Sequence, residues 1–222
     1  MNKRIMELKG VEVWDGNMAN SQALRQADVD VVAAYPITPS TATVENYAMF
    51  HANGYIDGEV MMTESEHAAM SACIGAGAAG GRVATATSSQ GLALMIETLY
   101  QASGMRIPVV LCLVNRALAA PLNVNGDHSD LYLTRDSGWI SIDAFSPQEA
   151  YDMTLMSFKI SEHPEVRLPV ISNQDGFMTS HTAQNVLPLK DDVACKFVGD
   201  YLQVNALLNF DKPVTHGVQT EQ

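Results

Sequence analysis

Two acids and one arginine occupy positions from which they could act on a ligand. Glu64 and Glu66 lie where a predicted strand ends and a predicted helix begins, and a carboxyl group buried there could hydrogen-bond a cofactor nitrogen. Arg116 directly follows a fully apolar segment, and a guanidinium fixed at that point suits a carboxylate or phosphate ligand. The alternatives are structural: acids in a first helical turn interact favourably with the helix dipole, and the arginine could form an ion pair.

A polar stretch after the arginine contains the residue types of a metal site. Asp127, His128 and Asp130 could coordinate a cation, since carboxylates and imidazole are common metal ligands. A loop with one histidine between two acids is more often a set of internal hydrogen bonds. No metal site is therefore predicted on this chain.

Residues 75–80 match the dinucleotide-binding pattern G-x-G-x-x-G letter for letter. That pattern binds a pyrophosphate where a strand precedes it and a helix follows it. Here a helical stretch comes first and a strand follows. The glycines are therefore predicted to permit close packing of a helix and to end it, and no nicotinamide or flavin is expected.

The loop formed by residues 35–41 follows a β-branched apolar segment and contains two prolines. Pro36 and Pro39 each fix their own φ near about −65° and move the preceding residue away from the helical region. Ser40 or Thr41 is predicted to cap the next helix, with Glu45 in a capping box. The result is a stiff loop at the carboxyl end of a strand, where open α/β sheets bind ligands. The alternative is a turn that only joins strand to helix.

Strand-like and helix-like segments alternate along the chain. Strands are predicted at residues 29–34, 60–63, 83–87, 108–114, 139–145 and 168–172, and helices at 18–27, 42–50, 67–79, 92–103 and 147–162. The last helix has a strong start, with Ser146 at the N-cap, Pro147 at N1 and Glu149 at N3. Strands that alternate with helices of this length form right-handed βαβ units. The predicted fold class is therefore α/β, with a doubly wound parallel sheet.

The composition is that of an acidic, folded protein. Of the 222 residues, 47% are hydrophobic and 17% are charged, which is typical of a globular domain rather than a disordered chain. The formal net charge is −12, whereas a nucleic-acid-binding surface needs a basic stripe. No nucleic-acid partner is expected.

Hydropathy and cysteine usage bear on the compartment. No segment approaches the roughly 18 consecutive apolar residues of a membrane span, and the first residues contain no apolar stretch of signal-peptide length. Cys73, Cys112 and Cys195 are widely spaced and odd in number, which favours buried thiols in a reducing cytoplasm over disulfides. Three distant thiols also exclude an iron–sulfur cluster made by this chain alone, because such clusters take about four thiolates. We expect a cytoplasmic protein without a membrane partner.

Several stretches together carry a family resemblance. They are residues 34–41, residues 64–71 with 85–92, residues 114–117, and the later phrases at 197–201 and 213–215. The set resembles the 2-oxoacid:ferredoxin oxidoreductase family, and within it the alpha subunits of the pyruvate:ferredoxin oxidoreductases. The resemblance extends over nearly the whole chain, and its motifs are much more specific for the family than for one substrate.

The resemblance implies roles for five residues. Glu66 matches the family glutamate that hydrogen-bonds the aminopyrimidine ring of thiamine diphosphate. Thr38 matches the threonine whose hydroxyl meets the bound 2-oxoacid, and Arg116 matches the arginine that binds its carboxylate. Pro36 and Ile37 would line the wall that faces the cofactor.

The resemblance also implies a division of labour among subunits. Residues 1–186 would be the pyrimidine-binding domain, and residues 187–222 an extended tail that packs on a partner or a neighbouring domain. A beta subunit would bind the diphosphate and its Mg²⁺, in agreement with the lack here of a Gly-Asp-Gly followed by a suitably spaced Asn. Iron–sulfur clusters are expected on partner subunits, with gamma- and delta-type subunits and ferredoxin as further partners.

The implied activity is oxidative decarboxylation of pyruvate with coenzyme A to acetyl-CoA and CO₂, with reduction of ferredoxin. The same chemistry on a branched-chain 2-oxoacid or oxalate is the first alternative. The second belongs to another class, a non-catalytic α/β module that binds a partner protein. Alpha subunits of this family usually continue into a further domain implicated in coenzyme A binding, which leaves contact of this chain with coenzyme A open.

Overall fold

The alternation in the sequence produces alternating strands and helices in the computed structural model of the protein, which describes residues 4–217. In chain order the elements are β1 (Glu12–Trp14), α1 (Gly16–Gln26), β2 (Val31–Ala34), α2 (Thr41–Ala52), β3 (Glu59–Met62), α3 (Glu66–Ala79), β4 (Val83–Thr87), α4 (Ser89–Leu94), α5 (Ile96–Gly104), β5 (Val109–Val114), α6 (Ser129–Leu133), β6 (Ile140–Ala144), α7 (Pro147–Glu162), β7 (Val170–Gln174), β8 (Gln184–Val186) and α8 (Asp191–Val198).

Six of the strands form one parallel sheet in the order β3-β2-β4-β5-β7-β6. Side chains alternate across it: Val110 and Cys112 of β5 pack with α1, α2 and α7, whereas Leu111 and Leu113 pack with α3, α4 and α5. Helices therefore cover both faces, and the predicted α/β, doubly wound class is confirmed. Among the described residues, no helix is both long and apolar enough to cross a bilayer.

The strand order reverses between β2 and β4. From β2 the chain passes to β3 on one side, and then returns to place β4 on the other side of β2. Loops that leave two such strands diverge, which opens a crevice outside their carboxyl ends, the usual ligand site of open α/β sheets. We call this opening, bounded by the loops after β2, β3, β4 and β5, the switch-point crevice.

The structure corrects the sequence predictions at two helix starts. Ser40 precedes α2, but its hydroxyl donates to the Ile37 carbonyl at 2.8 Å and does not cap the helix. The predicted capping box with Glu45 is wrong, because the serine closes the preceding turn instead. The helix predicted at residues 92–103 begins earlier, at Ser89, and is divided at Met95 into α4 and α5.

The predicted tail is only partly extended. α8 forms within it, and the Asp191 carboxylate accepts hydrogen bonds at 2.9 and 2.5 Å from the buried guanidinium of Arg25 in α1. This part therefore packs on its own domain. Cys195 lies on the exposed side of α8, unlike the buried Cys73 and Cys112, so the expectation of three buried thiols is wrong at this position. Described residues 199–217 contain no helix or strand, and residues 218–222 lie outside the described part.

A buried ion pair holds the chain after α8 against the amino edge of the sheet. Arg82 donates to both carboxylate oxygens of Glu162 at 2.6 and 2.8 Å and to the Gly199 carbonyl at 2.8 Å. Arg82→Met is expected to destabilise the fold by about 3–5 kcal/mol, because it leaves a buried carboxylate unpaired. Thermal unfolding would measure this loss. Arg135→Met, which removes an exposed pair with Asp136, is the control and should leave the melting temperature unchanged.

Candidate active site

The proline loop after β2 forms one wall of the switch-point crevice. Its turn is closed by the Ser40 N–H, which donates to the Ile37 carbonyl at 2.9 Å, and the Thr38–Pro39 peptide is cis. On the inner side, the buried Asn17 amide donates to the Pro39 carbonyl at 3.1 Å. Thr38 is exposed at the rim of the loop, next to the half-buried Ile37.

Arg116 leaves the end of β5 and contacts that same loop. Its guanidinium donates to the Thr38 carbonyl at 2.7 Å and to the Gln90 side-chain oxygen at 2.5 Å. Among residues 4–217, Arg116 forms no ion pair with an acid. The alternative expectation of a structural ion pair is therefore wrong for this part of the chain. The guanidinium is thus fixed by two neutral oxygens and keeps its positive charge at the rim.

The fold separates the two acids that the sequence placed together. Glu64 is exposed, whereas Glu66, the first residue of α3, is only 6% exposed. Ser65 caps this helix by accepting a hydrogen bond from the Ala68 N–H at 3.2 Å. In the part of the chain that the structure describes, no group donates a hydrogen bond to the Glu66 carboxylate. This carboxylate is therefore open to a donor that residues 4–217 do not supply.

A glycine in α4 makes room for the Glu66 carboxylate. A Cβ atom on Gly91 would lie 2.6 Å from Glu66 Oε1 and 2.4 Å from Thr87 Oγ1, which is too close unless one of these side chains moves. The adjacent residue, Gln90, is the one that binds Arg116. The start of α4 therefore contacts both the carboxylate and the guanidinium.

The predicted site residues come together around the switch-point crevice. Thr38 contacts Arg116, Arg116 contacts Gln90, and the next residue, Gly91, lies against Glu66. Pro36 is exposed at the same loop as Ile37 and Thr38. The roles expected for these residues stay predictions.

Chemically, the inner part of the crevice suits a flat ring that carries hydrogen-bonding nitrogens. Among the described residues, the buried Thr87 hydroxyl, which lies with Glu66 Oε1 beside Gly91, has no hydrogen-bond partner, and neither does the buried hydroxyl of the next residue, Ser88. A heteroaromatic ring with amino and imino nitrogens would supply a donor to the carboxylate and partners to these hydroxyls. The residues present therefore fit an aminopyrimidine.

The polar stretch considered as a metal site is a set of internal hydrogen bonds. Asp127 accepts from Ser129 N–H at 2.8 Å, and His128 Nε2 pairs with Asp175 at 2.8 Å. Asp130 is fully buried and accepts four N–H bonds. Within residues 4–217, no group of three or more such side chains could hold a metal ion.

Sequence reasoning considered Asp130 only as a possible cation ligand, whereas its carboxylate accepts four hydrogen bonds from N–H groups in the structure. Its Oδ2 accepts from the backbone N–H groups of Ser89 at 2.9 Å and Arg116 at 3.0 Å. Its Oδ1 accepts from the Asn115 amide and the Leu131 N–H, both at 2.8 Å. Burial raises the pKa of this carboxyl group, and the N–H donors act against that shift. No sequence pattern could have shown partners that are 41 positions away.

The glycine-rich stretch serves packing, as the sequence predicted. A Cβ on Gly77 would lie 2.5 Å from Ile107 Cγ2, so α3 packs closely on its neighbour there. Gly80 ends the helix with a left-handed φ of 112°. This prediction is confirmed, because the pattern lies inside α3 and at its carboxyl end.

Comparison with known proteins identifies relatives of the chain. Residues 22–222 match the family model described as pyruvate flavodoxin/ferredoxin oxidoreductase, thiamine diphosphate-binding. The chain is 50% identical over 207 residues to pyruvate synthase subunit PorA of Methanocaldococcus jannaschii, covering 93% of this chain and 53% of the relative. It is 44% identical over 213 residues to ketoisovalerate oxidoreductase subunit VorA of Pyrococcus furiosus, covering 96% and 54%. The chain therefore spans about half the length of the curated relatives it matches.

A solved structure supports the same relationship. The 2-oxoglutarate:ferredoxin oxidoreductase from Magnetococcus marinus, determined with 2-oxoglutarate, coenzyme A and succinyl-CoA bound, aligns with a TM-score of 0.74 at 28% identity. The alignment covers 85% of this chain and 33% of that chain. The fold is thus one that occurs within a larger oxidoreductase polypeptide.

Proposed function

The chain belongs to the thiamine diphosphate-binding domain family of the pyruvate flavodoxin/ferredoxin oxidoreductases, and from this premise we propose that it binds the aminopyrimidine half of thiamine diphosphate. The activity proposed is oxidative decarboxylation of pyruvate with coenzyme A to acetyl-CoA and CO₂, with reduction of ferredoxin. The observation that carries the proposal is the meeting of Thr38, Glu66 and Arg116 at one crevice. A non-catalytic partner-binding module has no physical reason to gather these side chains.

Each residue has a role that its surroundings support. Glu66 would hydrogen-bond a ring nitrogen of the pyrimidine and exchange a proton there, since its buried carboxylate has no donor from the described chain. Arg116 would bind the substrate carboxylate, and the Thr38 hydroxyl would meet the 2-oxoacid beside it. Pro36 and Ile37 would form the cofactor-facing wall. Thiamine diphosphate, when bound, supplies the electron sink for decarboxylation.

Pyruvate is the proposed substrate because relatives that share 44–50% identity with the chain are pyruvate synthase subunits. A branched-chain 2-oxoacid is the second candidate, since a ketoisovalerate oxidoreductase subunit is 44% identical. The ratio of kcat/KM for pyruvate to that for 2-ketoisovalerate, measured on one preparation, would decide between them.

The remaining parts of the enzyme are proposed to lie outside this domain. A beta subunit would hold the diphosphate and Mg²⁺, partner subunits would hold the iron–sulfur clusters, and gamma- and delta-type subunits and ferredoxin would complete the assembly. Residues 1–186 would form the pyrimidine-binding domain, and the part of the 187–222 tail beyond α8 would pack on a partner. The widely spaced free thiols support a cytoplasmic location.

The test of the function is reconstitution under anaerobic conditions. The chain should bind thiamine diphosphate together with a beta subunit, and the complete complex should reduce a viologen dye with pyruvate and coenzyme A. Neither partner alone should do so, because the two halves of the site lie on different chains. Weak, additive cofactor binding by the separate partners would contradict the proposal.

Arg116→Lys is expected to raise the KM for the 2-oxoacid about tenfold to a hundredfold, with a smaller change in kcat. Lysine keeps the charge but loses the fork that contacts Thr38 and Gln90, and a hydrogen bond to a charged group contributes ~1.5–3 kcal/mol. Steady-state kinetics of the assembled complex would measure both constants. Arg106→Lys, at an exposed arginine bound to the Val166 carbonyl, is the control. Equal KM values for both variants would remove Arg116 from the substrate site.

A further inference from the structure

Two segments that form the switch-point crevice are held by the same buried group. Ser89 begins α4, and Arg116 follows β5, 27 positions later in the numbering of the chain. The backbone N–H groups of both residues donate to one oxygen, Asp130 Oδ2, at 2.9 and 3.0 Å. The Asp130 side chain is fully buried, so no water competes for this oxygen.

The other carboxylate oxygen anchors Asp130 itself. Oδ1 accepts from the Asn115 side-chain amide and the Leu131 N–H, both at 2.8 Å. Four N–H donors therefore surround one carboxylate, and charge-assisted bonds of this kind are about twice as strong as neutral ones. These bonds hold the Asp130 carboxylate in one place. Because Ser89 and Arg116 both donate to it, their backbone segments are held in place with it.

The backbone at Ser89 depends on this support. Ser89 has a φ of +49°, a conformation that residues other than glycine seldom adopt and that costs about 1–3 kcal/mol. The Ser89 N–H donates the hydrogen bond that Asp130 Oδ2 accepts at 2.9 Å. The carboxylate therefore offsets the cost of a turn that places Gln90 against Arg116 and Gly91 against Glu66.

We propose that Asp130 is a positioning residue of this site, which sets the place of Arg116 and of the Ser89–Gly91 segment together. The catalytic part of this inference rests on the proposed function. Asp130 acts through two routes: the first fixes the guanidinium that binds the substrate carboxylate, and the second fixes the glycine that lies against the Glu66 carboxylate. Loss of the Asp130 carboxylate should therefore disturb both substrate binding by Arg116 and proton exchange at Glu66.

The test compares Asp130→Ala with Glu162→Ala in the complex assembled with partner subunits. Both substitutions remove a hydrogen-bonded carboxylate of low exposure, 0% for Asp130 and 10% for the Glu162 side chain, but Glu162 pairs with Arg82 at the opposite edge of the sheet. Asp130→Ala is expected to raise the KM for the 2-oxoacid and to lower kcat, each by about 10- to 100-fold, because a misplacement of about 1 Å can cost that much. Glu162→Ala should lower the melting temperature at least as much and leave both constants near their original values.

Hydrogen exchange provides a readout that does not need turnover. In Asp130→Ala, amide exchange should accelerate in residues 87–92 and in residues 115–118 together, and Glu162→Ala should change neither segment. Asp130→Asn retains one oxygen, which can serve only one pair of donors, so its effects should be intermediate. Asp130→Asn also replaces Asp130→Ala in every measurement if the alanine variant does not assemble.

The outcomes separate the two hypotheses. If the unmodified complex shows no thiamine-dependent turnover of a 2-oxoacid, the proposed function fails, and the exchange comparison still decides the role of Asp130. If exchange accelerates only in residues 129–133, or if the kinetic constants change no more than in Glu162→Ala, the positioning role is overturned.

Discussion

Glu66→Gln is expected to lower the turnover number of the assembled enzyme about 10²- to 10⁴-fold, the range that a positioned proton-exchanging group contributes. Glutamine has the same shape and still hydrogen-bonds a ring nitrogen, so the amount of thiamine diphosphate bound should change little. An amide does not exchange a proton at that nitrogen as a carboxylate does. The interaction that is lost is therefore one that matters during proton transfer, and the change should appear in kcat rather than in cofactor affinity.

The measurement combines viologen-dye reduction at saturating pyruvate and coenzyme A with calorimetric titration of the cofactor. Glu64→Gln is the matched control, because it is the same substitution two positions away on an exposed side chain. It should leave both quantities unchanged. A Glu66→Gln enzyme with normal turnover would show that the buried carboxylate has no part in proton exchange.

Gly91→Ala is expected to reduce turnover about 100-fold or more while the protein stays folded. The added Cβ would lie 2.6 Å from Glu66 Oε1 and 2.4 Å from Thr87 Oγ1, so one of these side chains has to move. The contacted atoms, which include Glu66 Cγ at 2.9 Å, belong to side chains rather than backbone, and overpacking of this kind costs about 1–3 kcal/mol. We expect the Glu66 carboxylate to move, because glutamate is longer and has more rotatable bonds than threonine, and a shift of about 1 Å in a reacting group can cost about 100-fold in rate.

Gly75→Ala is the matched control for this substitution. Gly75 lies in α3, the helix that begins with Glu66, and nothing lies within 4 Å of the position a Cβ would take. Alanine there should stabilise the helix by up to about 1 kcal/mol and leave turnover unchanged. Melting temperature and kcat, measured on both variants, separate helix propensity from contact with the carboxylate. Equal activity of the two variants would contradict the close approach of α4 to Glu66.

The two substitutions test different properties of one carboxylate. Glu66→Gln changes its chemistry and keeps its place, whereas Gly91→Ala changes its place and keeps its chemistry. If both lower kcat with little effect on cofactor binding, the result supports a role for Glu66 that depends on position and on charge.

The order of strands and helices could be predicted because its causes are local. Val83–Thr87 is strand from end to end as predicted, and α7 begins as predicted, with Ser146 accepting a hydrogen bond from the Glu149 N–H at 3.2 Å. Alternation of β-branched segments with helix-forming ones implies a parallel sheet, because parallel neighbours need a crossover. Ligand-facing loops at the carboxyl ends of the strands then follow from the fold class.

Local pattern also located the site residues along the chain, but not their contacts. Position alone offered both Glu64 and Glu66, the family resemblance selected Glu66, and the tertiary structure shows that Glu66 is the buried one. Arg116 was open to an ion pair or a ligand role, and its partners are the Thr38 carbonyl, 78 positions away, and the Gln90 side chain.

Other features were decided entirely by tertiary structure. β1 and β8 pair although most of the chain lies between them in sequence. α8 packs on α1 through Arg25 and Asp191, which are 166 positions apart. Asp130 belongs to this group, since its partners Ser89, Asn115 and Arg116 lie on two segments that are distant from it in sequence. Backbone propensity is a property of neighbours in sequence, whereas burial of a charge depends on groups that the folded chain brings to it. The sequence by itself therefore determined the scaffold and the places along the chain where the candidate site residues lie. The fold decided which carboxylate is buried, what holds the guanidinium, and which acid binds the backbone N–H groups of both Ser89 and Arg116.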